Sequence, residues 1–343
     1  MKTLLNKLLA RPEINPQTAP APPSRSAAAV AARDQLVNDF FGGWELEDIE
    51  VLQRYRYEGA SSAGHGEILD WLGIRTDIDF HAWLPRPASG PLSIRDLPVP
   101  DDQVHAETIE YIGLICSLER AARSGHHRFV AVELGASYAP WAVAAGVMAL
   151  RKGFGEVSLV AVEANRNSVP KITRHAKLNG LLDVSNVDLR AIHGAVHVRD
   201  EPVYFPKIDT SHDNGAQLTL EPEAQDYRGL AYEYEEVPGL SLPTLCADIP
   251  RIDFLHMDLQ GAEEALLQDA DFLRLLDERV TTLFIATQSR LIEGLALKAL
   301  SAMNWQLYRE RPTVYQQNDR TPDVNGWTLR DGGQIWFNDK PRG

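Results

Sequence analysis

Apolar strand patterns alternate with helical patterns along the chain after Asp102, and this alternation restricts the fold more than any other feature. Strand patterns such as RFVAVELG, VSLVAVEA and TTLFIATQ are each followed by apolar residues at helical spacing. Such alternation is typical of βαβ units on a mostly parallel sheet. The last two strand patterns, WQLYRE and GGQIWFN, have no helix between them, which predicts an antiparallel final strand.

Seven strands are predicted in this region, and helices join the first five of them. The arrangement resembles the Rossmann-like class I fold of S-adenosylmethionine-dependent methyltransferases. We therefore expect an α/β fold with a seven-stranded, mostly parallel sheet and an antiparallel last strand, preceded by an N-terminal helical cap. Open parallel sheets bind ligands at the carboxyl ends of their strands, where the strand order reverses.

Changes in composition divide the chain into three predicted regions. Residues 12–28 are rich in Pro, Ala and Ser, which predicts a flexible N-terminal tail over residues 1–28. Helical patterns such as LEDIEVLQRY predict a helical cap or extension over residues 29–100. Residues 101–343 are predicted to form the methyltransferase domain. A polar, tyrosine-bearing stretch at residues 197–243 is predicted to be a β or loop insertion in it.

Charge and composition argue against several classes of protein. A formal net charge of -14 disfavours binding to nucleic-acid backbones. No apolar segment approaches the roughly 20 residues of a membrane-spanning helix. Cys116 and Cys246 lie in apolar surroundings outside any CxxC pattern, so we expect reduced core cysteines in a cytoplasmic protein. No metal-binding signature is present, so no metal is predicted. The sequence is compatible with a homo-oligomer.

The segment VAVELGASYAPW, Val130 to Trp141, is predicted to be a strand, a tight turn and a helix start. Gly135 lacks a Cβ, which permits a close backbone approach or an unusual φ. The turn has neither GxGxxG nor GxxxxGK[ST], which disfavours a nicotinamide nucleotide. Glu133 would repel a pyrophosphate but attract a sulfonium and an ammonium group. The segment therefore favours a cationic adenosyl cofactor.

The next two strands end in residues suited to an adenosine. Glu163 ends VSLVAVE, where a carboxylate can accept hydrogen bonds from both ribose hydroxyls. The alternative is an acid stabilised by the dipole of the following helix. His193, Gly194 and Ala195 end the third strand and can frame an adenine ring. His193 is either a catalytic residue or a hydrogen-bonded structural one.

The fourth strand pattern, IDFLHMDLQGAE, contains the main catalytic candidate. Strand alternation places His256, Asp258 and Gln260 on one side, with Asp258 near the carboxyl tip. Asp258 can face a sulfonium and its methyl group or accept a proton from a substrate hydroxyl. Glu263 is either catalytic or an acid at a helix start.

Two further segments are candidates for ligand contact. HAETIE, residues 105–110, is predicted either to close over the methionine end of the cofactor or to be an exposed helix face. Tyr204, Phe205 and Tyr234 in the insertion are predicted to line an acceptor pocket or to form a solvated rim, since sugar rings stack on aromatic faces.

Four motifs together resemble the FkbM-type methyltransferases over about residues 100–340. They are VELGAS, VEAN, the PTLCADIPRIDFLHMDLQGAE block, and IATQSRLIEG followed by DGGQIWFN. The resemblance implies S-adenosylmethionine as cofactor and O-methylation of sugars or natural products. It also implies cofactor contacts at Glu133, Gly135, Ser137 and Glu163, with Asp258 facing the reaction centre. Many relatives have a histidine after the fifth strand where this chain has Gln288, so a base is missing if that histidine acts as one.

We therefore predict an S-adenosylmethionine-dependent O-methyltransferase with a small-molecule or carbohydrate acceptor. The catalytic candidates are Asp258, His193 and Glu263. The predicted cofactor-binding residues are Glu133, Gly135, Ala136, Ser137, Glu163, Ala164, Gly194, Ala195 and Asp258. Two alternatives stay open. One is an NAD(P)-dependent Rossmann oxidoreductase, and the other is a non-catalytic cofactor-binding module, which Gln288 favours.

Overall fold

The N-terminal part of the described chain contains one α-helix, a short 3-10 helix (Ile78–Phe80) and a small sheet. A computed structural model describes residues 42–59, 63–94, 108–210, 215–222, 231–315, 317 and 324–340, so the predicted tail lies outside the described residues. Helix α1 (Leu46–Arg54) begins at a capping box in which Asp48 accepts a hydrogen bond from the Glu45 amide at 2.8 Å. Strands β1 (Glu67–Leu69), β2 (Arg75–Asp77) and β3 (Leu92–Ser93) follow and form a sheet in the order β2-β1-β3. The described part of the predicted helical cap thus contains strands as well as a helix.

The main domain alternates strands and helices from residue 108 onward. Its elements, in chain order, are α2 (Thr108–Arg123), β4 (Arg128–Leu134), α3 (Pro140–Lys152), β5 (Glu156–Glu163), α4 (Val169–Leu178), β6 (Val187–His193), β7 (Ala195–Val196), β8 (Pro202–Pro206), β9 (Tyr234–Leu240), α5 (Leu242–Leu245), β10 (Phe254–Met257), α6 (Glu263–Leu266), α7 (Ala270–Arg279), β11 (Thr282–Thr287), α8 (Arg290–Ala302), β12 (Gln306–Arg311), β13 (Val314–Tyr315), β14 (Thr328–Arg330) and β15 (Gly332–Phe337).

A seven-stranded sheet has the order β12-β15-β11-β10-β4-β5-β6. Strand β15 pairs antiparallel with both β11 and β12, whereas β11, β10, β4, β5 and β6 are paired in parallel. The predicted α/β class with an antiparallel last strand is therefore confirmed. The chain proceeds from β4 outward to β6 and then crosses to β10 on the other side of β4. The strand order thus reverses between β4 and β10, which is where ligands bind in such sheets.

Alternate residues of the central strands face two apolar layers. Phe129 and Ala131 of β4 lie in a cluster with residues of α2 and α3, whereas Val130 and Val132 lie in a cluster with residues of α7 and α8. Because helices cover both faces, the central strands are mostly apolar, as buried parallel strands usually are.

One helix boundary differs from the prediction. The pattern AEEALLQDADFLRLL predicts a single helix, but the chain forms α6 and α7 with a break between them. Asp269 caps the N-terminus of α7 by accepting a hydrogen bond from the Phe272 amide at 2.8 Å. An N-cap interaction of this kind competes with continuation of the preceding helix.

The predicted insertion at residues 197–243 contains strands. Strand β9 pairs antiparallel with β8 and parallel with β7, in the order β7-β9-β8. This small sheet follows directly from the carboxyl end of β6, so it lies beside the edge of the main sheet at which ligands are expected. Among the helices of the described ranges, none has both the length and the apolar character that crossing a membrane requires.

Candidate active site

The turn after β4 contacts the turn after β10 so closely that a side chain at Gly135 is excluded. Gly135 has a φ of +80°, and a Cβ there would lie 1.8 Å from the backbone oxygen of Asp258. Ser137 and Ala139 also have left-handed backbone conformations, with φ values of 48° and 59°. The predicted unusual φ of Gly135 is confirmed. The backbone that Gly135 approaches closely is that of the turn after β10.

Glu133 lies near the end of β4, and its carboxylate reaches the N-terminus of helix α3. Its two carboxylate oxygens accept hydrogen bonds from the amides of Trp141 at 3.3 Å and Ala142 at 2.6 Å. Burial raises the pKa of this carboxyl well above its usual value, and nearby acids raise it further. Glu133 lines the cleft at the switch point, as expected, but it also caps a helix.

Glu163 links the turns that follow β4 and β5. Its carboxylate accepts hydrogen bonds from the amides of Ser137 and Asn165, each at 2.6 Å. Burial raises the pKa of this group as well. A carboxylate oxygen has two acceptor sites, so each oxygen can accept one more hydrogen bond from a ligand. Glu163 therefore lines the cleft in an arrangement compatible with its predicted role.

At the end of β6, some of the predicted site residues line the cleft and one does not. Gly194 and Ala195 line the cleft together with Ala164. The Nε2 atom of His193 lies 3.1 Å from the carbonyl oxygen of Ala164, and His193 is not among the described residues that line the cleft. The geometry therefore favours the structural alternative for His193 over the catalytic one.

Asp258 is the predicted catalytic residue that the structure places in the cleft. Its Oδ1 accepts hydrogen bonds from Nε2 of Gln260 at 2.7 Å and Nε2 of Gln288 at 2.8 Å. No hydrogen bond from the described residues reaches Oδ2. Burial, with a contribution from nearby Asp331, raises the pKa of Asp258 to about 7. Asp258 is thus oriented through one oxygen and has the other available to a ligand.

Gln288 has a role that the sequence did not predict. The sequence marked it only as a departure from a histidine, but its side-chain amide orients Asp258. Gln288 is 2% exposed, and its Oε1 has no hydrogen-bond partner among the described residues. The two residues are 30 positions apart, so no local pattern could have indicated the contact.

Glu263 is directed toward the turn that carries Asp258. Its two oxygens accept hydrogen bonds from the amides of Leu259 and Gly261, the latter at 2.8 Å. The side chain is fully buried, and burial raises its pKa to about 8. It is not among the described residues that line the cleft. The geometry favours a structural role for Glu263, since it holds the turn in place.

A buried acid and histidine line the cleft next to Asp258. Glu110 Oε1 lies 2.8 Å from Nε2 of His256. Both side chains are buried, so the exposed-face alternative for the HAETIE segment does not hold at Glu110. Residues 105–107 of that segment lie outside the described residues. Strand alternation had placed His256 on the side of Asp258, but its partner on α2 is 146 positions away.

The cleft as a whole runs along the carboxyl ends of β6, β5, β4 and β10. The space between its walls, including the open solvent at its mouth, is about 1010 Å³. Phe205 and Leu218 of the insertion form part of one wall, whereas Tyr204 and Tyr234 are not among the described residues that line it. Of the predicted aromatic contacts, the structure therefore brings Phe205 to the cleft.

The strand order and the cleft at its switch point define a class I methyltransferase fold. Residues 127–287 match the model of the Methyltransferase FkbM domain, which confirms the resemblance predicted from the sequence. A putative methyltransferase of Jannaschia sp. (strain CCS1) is 25% identical over 270 residues, covering 77% of this chain and 90% of that protein. Methyl transfer is therefore the activity that the comparisons support.

The chain also has low similarity to solved methyltransferase structures. Precorrin-6y C5,15-methyltransferase from Geobacter metallireducens GS-15 has 12% identity and a TM-score of 0.37, covering 70% of this chain and 96% of that one. The METTL16 methyltransferase domain has 9% identity and a TM-score of 0.35, covering 68% of this chain and 69% of that one.

Proposed function

We propose that the protein is an S-adenosylmethionine-dependent O-methyltransferase that acts on a hydroxyl group of a carbohydrate or natural product. The charge of the cleft carries the proposal. Among the described residues that line it, there are four carboxylic acids and one histidine, but no lysine or arginine. They are Glu110, Glu133, Glu163 and Asp258, with His256. Burial lowers the pKa of His256 to about 3, so it adds no positive charge at neutral pH. Such a lining attracts a sulfonium cation and repels a pyrophosphate.

The lining residues fit an adenosyl cofactor from one end of the cleft to the other. Glu163 has acceptor sites for two ribose hydroxyls. Ala164, Gly194 and Ala195 present small side chains at the β5 and β6 ends, where a flat adenine ring can lie. At the other end, His256 has a buried Nδ1 that lacks a hydrogen-bond partner among the described residues, which suits a donor on the ligand.

When bound, S-adenosylmethionine supplies an activated methyl group on a sulfonium sulfur. Asp258 accepts the proton of the substrate hydroxyl at Oδ2, while Gln260 and Gln288 hold Oδ1 in place. A pKa of about 7 leaves a substantial fraction of Asp258 ionised at neutral pH and still basic enough to accept a proton. Fixing the hydroxyl beside this carboxylate supplies the positioning that a displacement reaction needs.

The acceptor enters, in this proposal, between the β10 turn and the inserted sheet. Phe205 is 9% exposed and lines the cleft, so part of its ring is available to a bound acceptor. Sugar rings and other partly apolar molecules bind aromatic faces. In this proposal the insertion therefore sets the specificity for the methyl acceptor.

A thermal-shift panel of S-adenosylmethionine, S-adenosylhomocysteine, NAD and NADP tests the cofactor assignment. A ligand that binds only the folded state raises the melting temperature. We expect the two adenosyl ligands to raise it and the two nicotinamide ligands to leave it unchanged. Stabilisation by NAD or NADP alone would support the oxidoreductase alternative. Methyl transfer to hydroxylated acceptors then separates an enzyme from a non-catalytic module.

A further inference from the structure

The hydrogen bond between Glu110 and His256 fixes the chemistry of the histidine ring. The Oε1 atom of Glu110 lies 2.8 Å from Nε2 of His256. We take Glu110 as ionised and His256 as neutral; the carboxylate then accepts the hydrogen bond, and Nε2 carries the ring proton. Nδ1 then holds a lone pair and can only accept a hydrogen bond.

This lone pair is buried and unsatisfied. His256 is 3% exposed, and its Nδ1 has no hydrogen-bond partner among the described residues. A buried acceptor without a donor costs free energy, so such atoms in native proteins usually have a partner, a water or a ligand. His256 and Glu110 both line the cleft, so a ligand in the cleft can provide the missing donor.

The ring is held rigidly in its position. It is stacked on Phe284 with a centroid distance of 4.9 Å and an interplanar angle of 15°. On the Trp141 side the centroid distance is 5.6 Å and the angle is 27°. Two aromatic neighbours and one hydrogen bond leave the ring little freedom to turn. The position of Nδ1 is therefore fixed before a ligand binds, which lowers the entropy cost of binding.

The surroundings favour a cationic donor. His256 is directly opposite Glu133 in the pairing of β10 with β4, and Asp258 is two residues further along the chain, just after the end of β10. Three acidic residues, Glu110, Glu133 and Asp258, thus lie near His256. A neutral donor would satisfy Nδ1 equally well, but only a cation also gains from these acids. Burial lowers the pKa of His256 to about 3, so the ring accepts a hydrogen bond from such a cation without taking its proton.

We infer that the Glu110–His256 pair binds the ammonium group at the amino-acid end of the cofactor, with Nδ1 of His256 as the acceptor. The inference rests on the proposed function, since it assumes an adenosyl cofactor with an amino-acid end. It assigns to His256 a cofactor-positioning role that is separate from the proton transfer at Asp258.

Calorimetry with two matched ligands tests this assignment. One is S-adenosylhomocysteine, and the other is its desamino analogue, in which hydrogen replaces the ammonium group. We expect wild-type protein to bind S-adenosylhomocysteine at least about tenfold more tightly, because a hydrogen bond to a charged group is lost in the analogue. In His256→Phe, which has a ring but no acceptor, the preference should fall to about twofold or less.

Conservative variants separate recognition from packing. His256→Asn places an oxygen near the position of Nδ1 and should restore much of the preference. His256→Val also lacks the acceptor and has a smaller side chain. It serves as the test variant if the phenylalanine ring of His256→Phe does not fit between Trp141 and Phe284. Equal weakening of both ligands, or an unchanged preference in His256→Phe and His256→Val, would overturn the inference while leaving the proposed function standing. Wild-type protein that binds neither ligand would overturn both.

Discussion

The side-chain amide of Gln288 donates a hydrogen bond of 2.8 Å to Oδ1 of Asp258. Gln260 donates to the same oxygen at 2.7 Å. Two neutral donors on one oxygen stabilise the ionised carboxylate and restrict its rotation, so that Oδ2 has a fixed direction. In the proposed mechanism, Gln288 is a positioning residue for the group that accepts the proton.

Replacing Gln288 should change the ionisation of Asp258. Gln288→Ala removes a donor, and Gln288→Glu adds a second acid, so both should raise the pKa of Asp258 above about 7. The acidic limb of the pH–rate profile for methyl transfer should then move to higher pH, further in the glutamate variant. Gln268→Ala is a matched control, because Gln268 is exposed and bonds to the carbonyl of Glu264. An acidic limb that stays in place in both variants would contradict the assignment.

Methyl transfer by the wild-type enzyme should depend on the ionisation of Asp258. Below a pH of about 7 its carboxyl is protonated and cannot take the hydroxyl proton, so the rate should rise with pH through that value. Asp258→Asn should lower kcat by about 10²-fold or more, the usual contribution of a general base. Binding of S-adenosylhomocysteine, measured by calorimetry, should be retained. Normal turnover in Asp258→Asn would remove Asp258 from the mechanism.

The contact between the two turns should make Gly135 intolerant of substitution. Gly135→Ala places a Cβ 1.8 Å from a backbone oxygen, in addition to the cost of a positive φ. We expect it to lower the free energy of unfolding by about 3 kcal/mol or more, or to prevent folding. Gly153→Ala is a control with a φ of +93° and no atom within 4 Å of the new Cβ. It should cost only about 1 kcal/mol in chemical denaturation. Equal losses would show that crowding is unimportant at Gly135.

Glu263 should be needed for stability. Glu263→Ala removes the acceptor of two backbone amides in the turn that carries Asp258, which should cost about 2 kcal/mol of unfolding free energy. The adjacent Glu264→Ala should change stability by less than about 0.5 kcal/mol. A Glu263→Ala protein as stable as wild type but without turnover would instead indicate the catalytic role that the sequence left open.

Much of the fold could be predicted from local patterns. Strand and helix periodicities gave the sheet, and the absence of a helix between WQLYRE and GGQIWFN gave the antiparallel last strand. Gly135 and Asp258 could be predicted as site residues because each directly follows an apolar strand pattern, where a turn is expected. The break before α7 was missed because the Asp269 N-cap lies within an otherwise continuous helical pattern.

The side-chain partners within the site could not be predicted in the same way. The contacts of Asp258 with Gln288 and of His256 with Glu110 join residues 30 and 146 positions apart. Such pairs depend on how strands and helices come together, which residue spacing does not encode. The sequence also could not separate ligand-binding carboxylates from structural ones. Glu263 binds backbone amides of its own turn and does not line the cleft, whereas Glu163 binds backbone amides and lines the cleft as well.

Removing the carboxylate of Glu163 should weaken cofactor binding. We expect Glu163→Ala to lower the affinity for S-adenosylhomocysteine by at least about tenfold in calorimetry, because ribose hydroxyls lose a charged acceptor. Glu163 also bonds to the amides of Ser137 and Asn165, so a melting curve of the variant is needed alongside. Unchanged affinity would contradict the ribose assignment.

A crystal structure of the complex with S-adenosylhomocysteine would decide whether this cleft binds the cofactor, because it locates each part of the ligand against the carboxylates of the cleft. We expect ribose hydroxyls within hydrogen-bond distance of Glu163 and the sulfur beside the turn that carries Asp258. Ligand bound outside this cleft, or a cleft that stays empty at saturating ligand, would contradict it.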